Sequence, residues 1–462
     1  MHRPKNRLSS LPSLKGGAGL ALRRKRVTVV GMGKSGAAAV SLLAREGAET
    51  LVVDEIQKEI PPALGTMASV RFHLGPFREE DFLRSDLIVV SPGVPLQHLP
   101  MGKLKATGIP VIGELELAAS FLSAPVIAVT GTNGKSTTTT LVGEILKGWG
   151  WQVFVGGNLG TPLSEAVSSP WDFIVVEASS FQLETIEAFR PRIAALLNVT
   201  PDHLDRYPDL PAYQKAKWRI FENQSDEDHA VINHDDPLTR PPFLKKPPVF
   251  FSRSIVPSRG IYLRDGEIFS NVWGEPEPII RLDALKLKGA HNIENVMAAA
   301  AMTLLCGCSV EGIRRVLIDF KGLPHRMEFV REVRGVKYIN DSKGTNVGAV
   351  LKSLEGPASP VIWIAGGKDK ESDFTPLRDI ASKKVKRLIL IGEAREKMAR
   401  CFAGVVALER ADSMEEAVEK GASLAAPGDM VLLSPACASF DMFRDYQDRG
   451  DVFKRAVRGL PD

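Results

Sequence analysis

The sequence predicts an α/β protein of about three domains, doubly wound in more than one of them. Three observations carry that reading. The chain has 462 residues, too many for a single core. Short apolar, β-branched runs recur along it, each followed by a glycine or polar turn and then a helix-like stretch. One of these runs opens directly into a glycine loop ending Lys-Ser-Thr.

Composition narrows the class. Hydrophobic residues make up 44% and charged residues 25%, the balance of a globular chain with an ordinary core. The formal charge of +4 is misleading. Eight basic residues (Arg3, Lys5, Arg7, Lys15, Arg23, Arg24, Lys25, Arg26) and no acidic ones lie in the first 26, so the remainder carries −4. The body is mildly acidic, which removes the electrostatic case for nucleic-acid binding. Residues 1–25 read as a flexible basic extension without the apolar stretch of a secretory leader. No window approaches the roughly 18 apolar residues of a membrane span. Cys306, Cys308, Cys401 and Cys437 include no Cys-x-x-Cys pair, so neither a zinc site nor a disulfide framework is indicated and a reducing, cytoplasmic setting fits.

The predicted strands are Val27–Val30, Thr50–Val53, Leu87–Val90, Val126–Val129, Phe173–Val176, Ala194–Val199, Val361–Ala365, Leu388–Ile391 and Met430–Leu433. A break near Phe121–Pro125 and a Gly-Leu-Pro turn at Gly322–Pro324 divide the chain into 26–121, 122–322 and 323–462. The first and last are expected to be Rossmann-like, the central one a P-loop-type ATPase domain. The Pro-rich stretch from Pro237 to Pro278 reads as an irregular β excursion within the central part.

Near the N-terminus, Val27-Thr-Val-Val-Gly-Met-Gly-Lys-Ser-Gly36, with Asp54 closing the next strand, fits a dinucleotide fingerprint. Alone it suggests an NAD-dependent dehydrogenase. An ATP-type loop downstream, and no second cofactor signal, oppose that reading.

That loop is Thr130-Gly-Thr-Asn-Gly-Lys-Ser-Thr137, preceded by the strand Val126–Val129. Backbone amides of such a loop surround phosphate oxygens, and the following helix N-terminus adds a favourable dipole. Gly131 and Gly134 permit close backbone approach, Lys135 can reach the β- and γ-phosphates, and Ser136 offers a hydroxyl to Mg²⁺. Two residues, not the usual four, separate Gly131 from Gly134-Lys135. Downstream, Glu177 closes a strand and His203 follows another, which makes both candidate Mg²⁺ ligands beside the phosphates, although imidazole is an unusual partner for so hard an ion. Asn292, ahead of an alanine-rich helix Val296–Leu305, is a candidate N-cap.

The compact loop resembles that of the Mur ligase family, which also contains folylpolyglutamate synthases. The likeness runs from about Arg26 onward. Glu177-Ala-Ser-Ser-Phe-Gln-Leu-Glu184 and Asn198-Val-Thr-Pro-Asp-His-Leu-Asp-Arg206 resemble the members that add D-glutamate to UDP-N-acetylmuramoyl-L-alanine in peptidoglycan precursor synthesis.

The resemblance implies roles that spacing does not show. Lys217, in the helix-like Tyr213–Ile220, falls where family members carry an N-carbamylated lysine, an anionic Mg²⁺ ligand, whereas Lys215 points elsewhere. Gly131, Thr132, Asn133, Gly134, Lys135, Ser136 and Thr137 would hold ATP, with Asn292 and Asn295 at the adenosine. Arg326 would neutralise the transferred phosphoryl group or hold the ribose, with Asp341 and Lys343 on the same side. The family uses the N-terminal glycines for a UDP group. Gly33, Lys34 and Ser35 would meet the diphosphate, Asp54 the uridine side, and Ser91 and Gly93 the same site. Asn158, Ser179 and Gln182 would meet the muramoyl-alanine end. D-glutamate would lie against Thr345, Lys370 (or Lys368), Ser439 and Tyr446, whose cationic and hydroxyl donors suit a dicarboxylate.

The expected enzyme is thus an ATP- and Mg²⁺-dependent ligase, with two ions, acting as a cytoplasmic monomer through an acyl phosphate. Ser136, Glu177, His203 and carbamylated Lys217 would be the metal ligands, and Lys135, His203, Lys217 and Arg326 the catalytic set. A sister ligase for another amino acid, or a nucleotide-gated binding protein without chemistry, are the competing readings.

Overall fold

The computed structural model describes residues 21–461 apart from positions 58, 204, 205, 288, 358, 370 and 371. The chain divides after Phe320 into two compact bodies.

The first body contains two sheets. Strands β1 (Arg26–Val30), β2 (Glu49–Asp54), β3 (Val70–Leu74), β4 (Leu87–Val90) and β5 (Val111–Gly113) form a parallel sheet in the order β3-β2-β1-β4-β5. The order reverses between β1 and β4, where open α/β sheets leave a crevice for ligands. Gly31–Ser35 and Ser91–Gly93 leave the sheet at that point. Gly36 cannot be replaced there, because a Cβ would collide with the Gly31 carbonyl oxygen.

The second sheet has nine strands. They are β6 (Val126–Thr130), β7 (Val153–Gly157), β8 (Phe173–Glu177), β9 (Ile193–Leu196), β10 (His229–Asn233), β11 (Val249–Ser252), β12 (Gly260–Arg264), β13 (Glu267–Ser270) and β14 (Glu277–Arg281). Their order is β14-β13-β12-β11-β10-β9-β6-β8-β7. Pairing is parallel from β7 through β12 and antiparallel in β12-β13-β14. The Pro237–Pro278 stretch is therefore a regular extension of the sheet. Its prolines lie between strands, or at the outer strand β14, where a missing N–H costs no ladder bond.

Alternation along β6 explains its position. Ile127 and Val129 pack under the helices Lys135–Gly148 and Ala290–Leu305, while Val126 and Ala128 face the opposite layer with Tyr213 and Ala216. The helix Ala290–Leu305 buries Ala298, Ala299, Ala300 and Ala301 completely. It begins earlier than the sequence predicted, and Gly289 occupies its N-cap with no side-chain cap bond. Asn292 is thus the third helical residue and not the cap.

Two carboxylates join the sheets. Glu116 accepts the amides of Glu187, Ala188 and Phe189, each at 2.9 Å. Glu114 accepts Ser164 N at 2.6 Å and Ser164 Oγ at 2.7 Å. Three charge-assisted bonds on one carboxylate fix the loop it holds far more firmly than a surface ion pair would.

The second body has β15 (Glu328–Val333), β16 (Val336–Asn340), β17 (Val361–Gly366), β18 (Val385–Ile391), β19 (Leu408–Arg410) and β20 (Met430–Leu433), in the order β15-β16-β20-β17-β18-β19. All pairs but β15-β16 are parallel. Every predicted strand is a strand; Ala194–Val199 stops at Leu196, where the chain turns toward the phosphate loop. No described helix is long and apolar enough to cross a membrane.

Candidate active site

In the first body the site grows from β6 and its two neighbours. After β6 the loop passes through Gly131 and Gly134, with φ of 154° and 85°, into the helix Lys135–Gly148. A side chain at Gly134 would strike the Asn295 amide oxygen, so glycine is required by packing as well as by conformation. Asn295 is buried and also meets Thr138 Oγ1 at 3.4 Å and Asn292 Oδ1 at 3.4 Å. It therefore braces the loop from behind.

Asn198, just past β9, braces the front. Its Oδ1 accepts Asn133 N at 2.8 Å, its Nδ2 donates to Asn133 O at 3.1 Å, and its carbonyl accepts Thr132 N at 2.9 Å. Thr132 Oγ1 accepts Thr200 N at 3.0 Å and lies 3.3 Å from Tyr213 OH. Asn198 was visible in the sequence only as the first residue of a family-like segment, with nothing local to mark it as a loop brace.

The Lys135 ammonium donates to Gly131 O at 2.9 Å and Thr132 O at 3.0 Å. Lys217 also donates to Gly131 O, at 2.8 Å. Lys217 is 1% exposed and lies 4.4 Å over the Tyr213 ring, whereas Lys215 on the same helix, Leu210–Trp218, is exposed. Burial, and then the neighbouring Lys135, push the Lys217 ammonium well below lysine's ordinary range, while Asp202 and Glu177 act the other way.

Glu177 is the last residue of β8, as expected, and is 2% exposed. Oε1 accepts Asn158 Nδ2 at 2.6 Å, while Oε2 is buried and lacks a hydrogen-bond partner. A buried carboxylate oxygen without a donor is costly unless a cation meets it. His203 adopts φ 55°, with its ring edge-on to Phe181 (centroids 4.7 Å apart) and its Nε2 3.7 Å from Asp202 Oδ2. Among the described residues no three His, Cys, Asp or Glu side chains converge as a metal cage. The anions that act on Lys217, Asp202 and Glu177, offer oxygen donors suited to a hard divalent ion. Ser136 and Thr137 are buried at the helix start.

Around the N-terminal switch point, Gly33 caps the helix Lys34–Arg45, with Lys34 exposed and Ser35 half-buried at its first turn. Such an N-terminus favours a diphosphate. Ser91 Oγ donates to Gly31 O at 2.8 Å, and Gly93 is exposed. Asp54 is turned to the protein: its carboxylate accepts the amides of Met32 (2.6 Å), Ile56 (2.8 Å) and Gln57 (2.9 Å). Burial works against its charge, but these three amides prevail and hold its pKa below the usual value. Ser179 and Gln182 form a capping box on the helix Ser180–Leu183.

The second body gathers three loops at the ends of adjacent parallel strands β16, β20 and β17. They carry Asp341, Lys343 and Thr345, then Ser439, then Lys368. Lys370 lies outside the described residues. Lys368 and Ala438 exchange backbone bonds at 3.0 and 3.2 Å, drawing two of the loops together. Arg449, fully buried, ties in the third. Its guanidinium donates to Ser342 Oγ and O (both 2.9 Å) and to the carbonyls of Cys437 and Ala438 (both 3.1 Å). Burial lowers its pKa to about 10, still charged at neutral pH. The sequence reading missed it, since a lone arginine in a helix looks like a surface residue. Ser342 Oγ also donates to the carbonyl of Tyr446, at 2.7 Å. Asp341 is buried, accepting Ser353 Oγ (2.6 Å), Ser434 Oγ (2.8 Å) and Met327 N (3.2 Å), and burial raises its pKa. Arg326 stands between His325 and Met327, both at positive φ (62° and 46°), in a turn that presents its side chain near Asp341.

Comparison with known proteins finds matches along most of the chain. Residues 25–113 match the MurD-like N-terminal domain of Mur ligases, 129–303 the Mur ligase middle domain and 325–437 the Mur ligase glutamate ligase domain. The UDP-N-acetylmuramoylalanine–D-glutamate ligase of Geotalea uraniireducens is 48% identical over 96% of this chain and 99% of its own. The chain belongs to the Mur ligase family. The same-named protein of Trichlorobacter lovleyi is 47% identical, covering 96% of this chain and 100% of its own. Among solved structures, UDP-N-acetylmuramate-alanine ligase MurC of Thermotoga maritima covers 94% of this chain and 99% of its own with a TM-score of 0.58 and 17% identity, a likeness of fold. Mur ligases use ATP and Mg²⁺; the buried Glu177 oxygen without a donor is compatible with a cation there.

Proposed function

We propose that this Mur ligase joins D-glutamate to UDP-N-acetylmuramoyl-L-alanine with conversion of ATP to ADP and phosphate, as a cytoplasmic monomer divided at 26–121, 122–322 and 323–462. The near-full-length likeness to the Geotalea uraniireducens ligase carries the substrate assignment. Two ammonium groups converging on one loop carbonyl, beside buried Glu177, support phosphoryl transfer at that loop.

The acceptor's L-alanine carboxylate attacks the γ-phosphorus, ADP leaves, and an acyl phosphate forms. The D-glutamate amine then attacks the acyl carbon; the tetrahedral adduct loses a proton and expels phosphate. Lys135 leaves the Gly131 and Thr132 carbonyls for the β- and γ-phosphates, and Arg326 neutralises charge on the phosphoryl group. Glu177, His203, Ser136 and a carbamylated Lys217 would hold two Mg²⁺ ions, which neutralise phosphate charge. Gly131, Thr132, Asn133, Gly134, Ser136 and Thr137 cradle the triphosphate, Asn292 and Asn295 adjoin the adenosine, and Asp341 and Lys343 support Arg326. Gly33, Lys34, Ser35, Ser91 and Gly93 bind the UDP diphosphate region, and Asp54 shapes its loop. Asn158, Ser179 and Gln182 border the muramoyl-alanine. Thr345, Ser439, Tyr446 and Lys370 or Lys368 orient D-glutamate, so that most of the rate comes from positioning and charge neutralisation.

The test is phosphate release from ATP with the UDP-linked acceptor and a panel of amino acids. D-glutamate is expected to be preferred. A preference for L-lysine or meso-diaminopimelate, or ATP binding with no amino-acid-dependent phosphate release, overturns the proposal.

A further inference from the structure

Arg206 lies three residues after His203 and reaches both sheets of the first body. Its Nη1 donates to the Pro92 carbonyl at 2.8 Å, in the loop that follows β4. Its Nη2 pairs with Glu184 Oε2 at 2.7 Å, with side chains only 12% and 18% exposed. Its guanidinium carbon lies 4.0 Å over the Phe181 ring, the same ring that meets the edge of His203. The amides of Arg206 and Tyr207 both donate to the His203 carbonyl at 3.0 Å, closing the turn that holds His203 at positive φ. The Tyr207 hydroxyl donates to the other Glu184 oxygen.

We propose that Arg206 is a positioning residue that couples the Ser91–Gly93 loop to the orientation of His203. The inference rests on the proposed nucleotide-sugar role of that loop. Pro92 is flanked by Ser91 and Gly93, Phe181 by Ser180 and Gln182, and the His203 carbonyl by the arginine's own turn. One planar fork therefore links three segments that border the acceptor and the phosphates. A lysine could not do the same, because it lacks two donors in fixed divergent directions and a flat face to stack on Phe181. Filling the nucleotide-sugar crevice would press on the Pro92 carbonyl, and the fork transmits that constraint to Phe181 and His203.

The test compares wild type with Arg206→Met, Arg206→Lys and Glu184→Gln, measuring KM for the UDP-linked acceptor and for D-glutamate, the Mg²⁺ concentration for half-activation, and Tm. In Arg206→Met the acceptor KM is expected to rise about tenfold and the Mg²⁺ requirement several-fold, with the D-glutamate KM unchanged. Arg206→Lys should fall between. If Arg206→Met does not fold, Glu184→Gln bears the test, and the same pair of constants should rise about threefold. Unchanged acceptor KM and Mg²⁺ requirement in a folded variant overturn the inference. So does a uniform rise of all three constants, the D-glutamate KM included, that follows the loss of Tm and is not relieved in Arg206→Lys. Wild-type turnover is measured first. Its absence sinks the ligase reading and this inference with it, whereas normal wild-type turnover with indifferent variants overturns this inference alone.

Discussion

Lys135 and Lys217 donate to one and the same acceptor, the carbonyl oxygen of Gly131, at 2.9 and 2.8 Å. Two ammonium groups on one neutral oxygen repel each other, and the interior gives little screening. The arrangement stores a demand for anions at the phosphate loop, which ATP on one side and a carbamate on the other would meet.

Lys217→Ala is expected to lower D-glutamate-dependent phosphate release by about 100-fold or more. If the lysine acts as a carbamate, added acetate or formate should restore part of the activity by placing a carboxylate in the vacated space. Activity that stays lost at every carboxylate concentration would count against the carbamate, though not against the lysine.

Glu177→Gln keeps the bond to Asn158 in shape but removes a buried charge whose second oxygen has no donor. Its Tm without Mg²⁺ should equal or exceed wild type, because an uncompensated buried carboxylate is destabilising. The rise in Tm that Mg²⁺ with ATP gives the wild type should shrink. A variant that Mg²⁺ with ATP stabilises as much as wild type would remove Glu177 from the metal set.

Asn198→Ala deletes two bonds to Asn133 and leaves a loop amide unpaired, at a cost of about 1–3 kcal/mol. The expected result is a KM for ATP raised by roughly tenfold or more, with the acceptor KM little changed. Asn198→Asp, which keeps the acceptor oxygen but loses the donor, should lie between. Equal ATP affinity in all three proteins would show that the loop holds itself.

His229 gives a pH prediction away from the site. Burial, with Lys246, Arg259 and Arg192 nearby, lowers its pKa from 6.5 to about 4, and its Nδ1 is buried without a partner. The folded-state value lies below the unfolded one, so between pH 6.5 and 4 the unfolded chain binds the extra proton. Stability is therefore full above pH 6.5 and falls as pH drops toward 4, by up to roughly 3 kcal/mol, less whatever solvent screening the half-buried ring receives. His229→Gln should flatten the Tm profile across that window; an unaltered slope would show that other groups govern it.

Strands such as Leu87–Val90 and Met430–Leu433 were legible to the residue, because a strand buried on both faces must be apolar without interruption. The Pro237–Pro278 region was not, since its strands belong to the outer part of the sheet, where one face is less apolar and the pattern dilutes. The phosphate loop was legible because glycine spacing and a Lys-Ser pair are local. The candidate cap at Asn292 does not hold, because capping depends on where the helix begins, and it begins at Ala290 with Gly289 at the N-cap.

By itself, the sequence determined the α/β class, the loop at Thr130–Thr137, and the placing of Glu177 at a strand's end, all of which follow from runs and spacings a few residues long. The tertiary structure alone decided that Lys217 meets Gly131 across 86 residues of chain, that Asn198 braces the loop, and that Arg449 ties the Ser342 loop to the Cys437–Ala438 loop. The physical reason is that a polar side chain's partner is set by which surfaces pack together. A lysine on a weakly amphipathic helix looks the same in sequence whether it faces water or a phosphate loop; only the packing of that helix against the central sheet buries it.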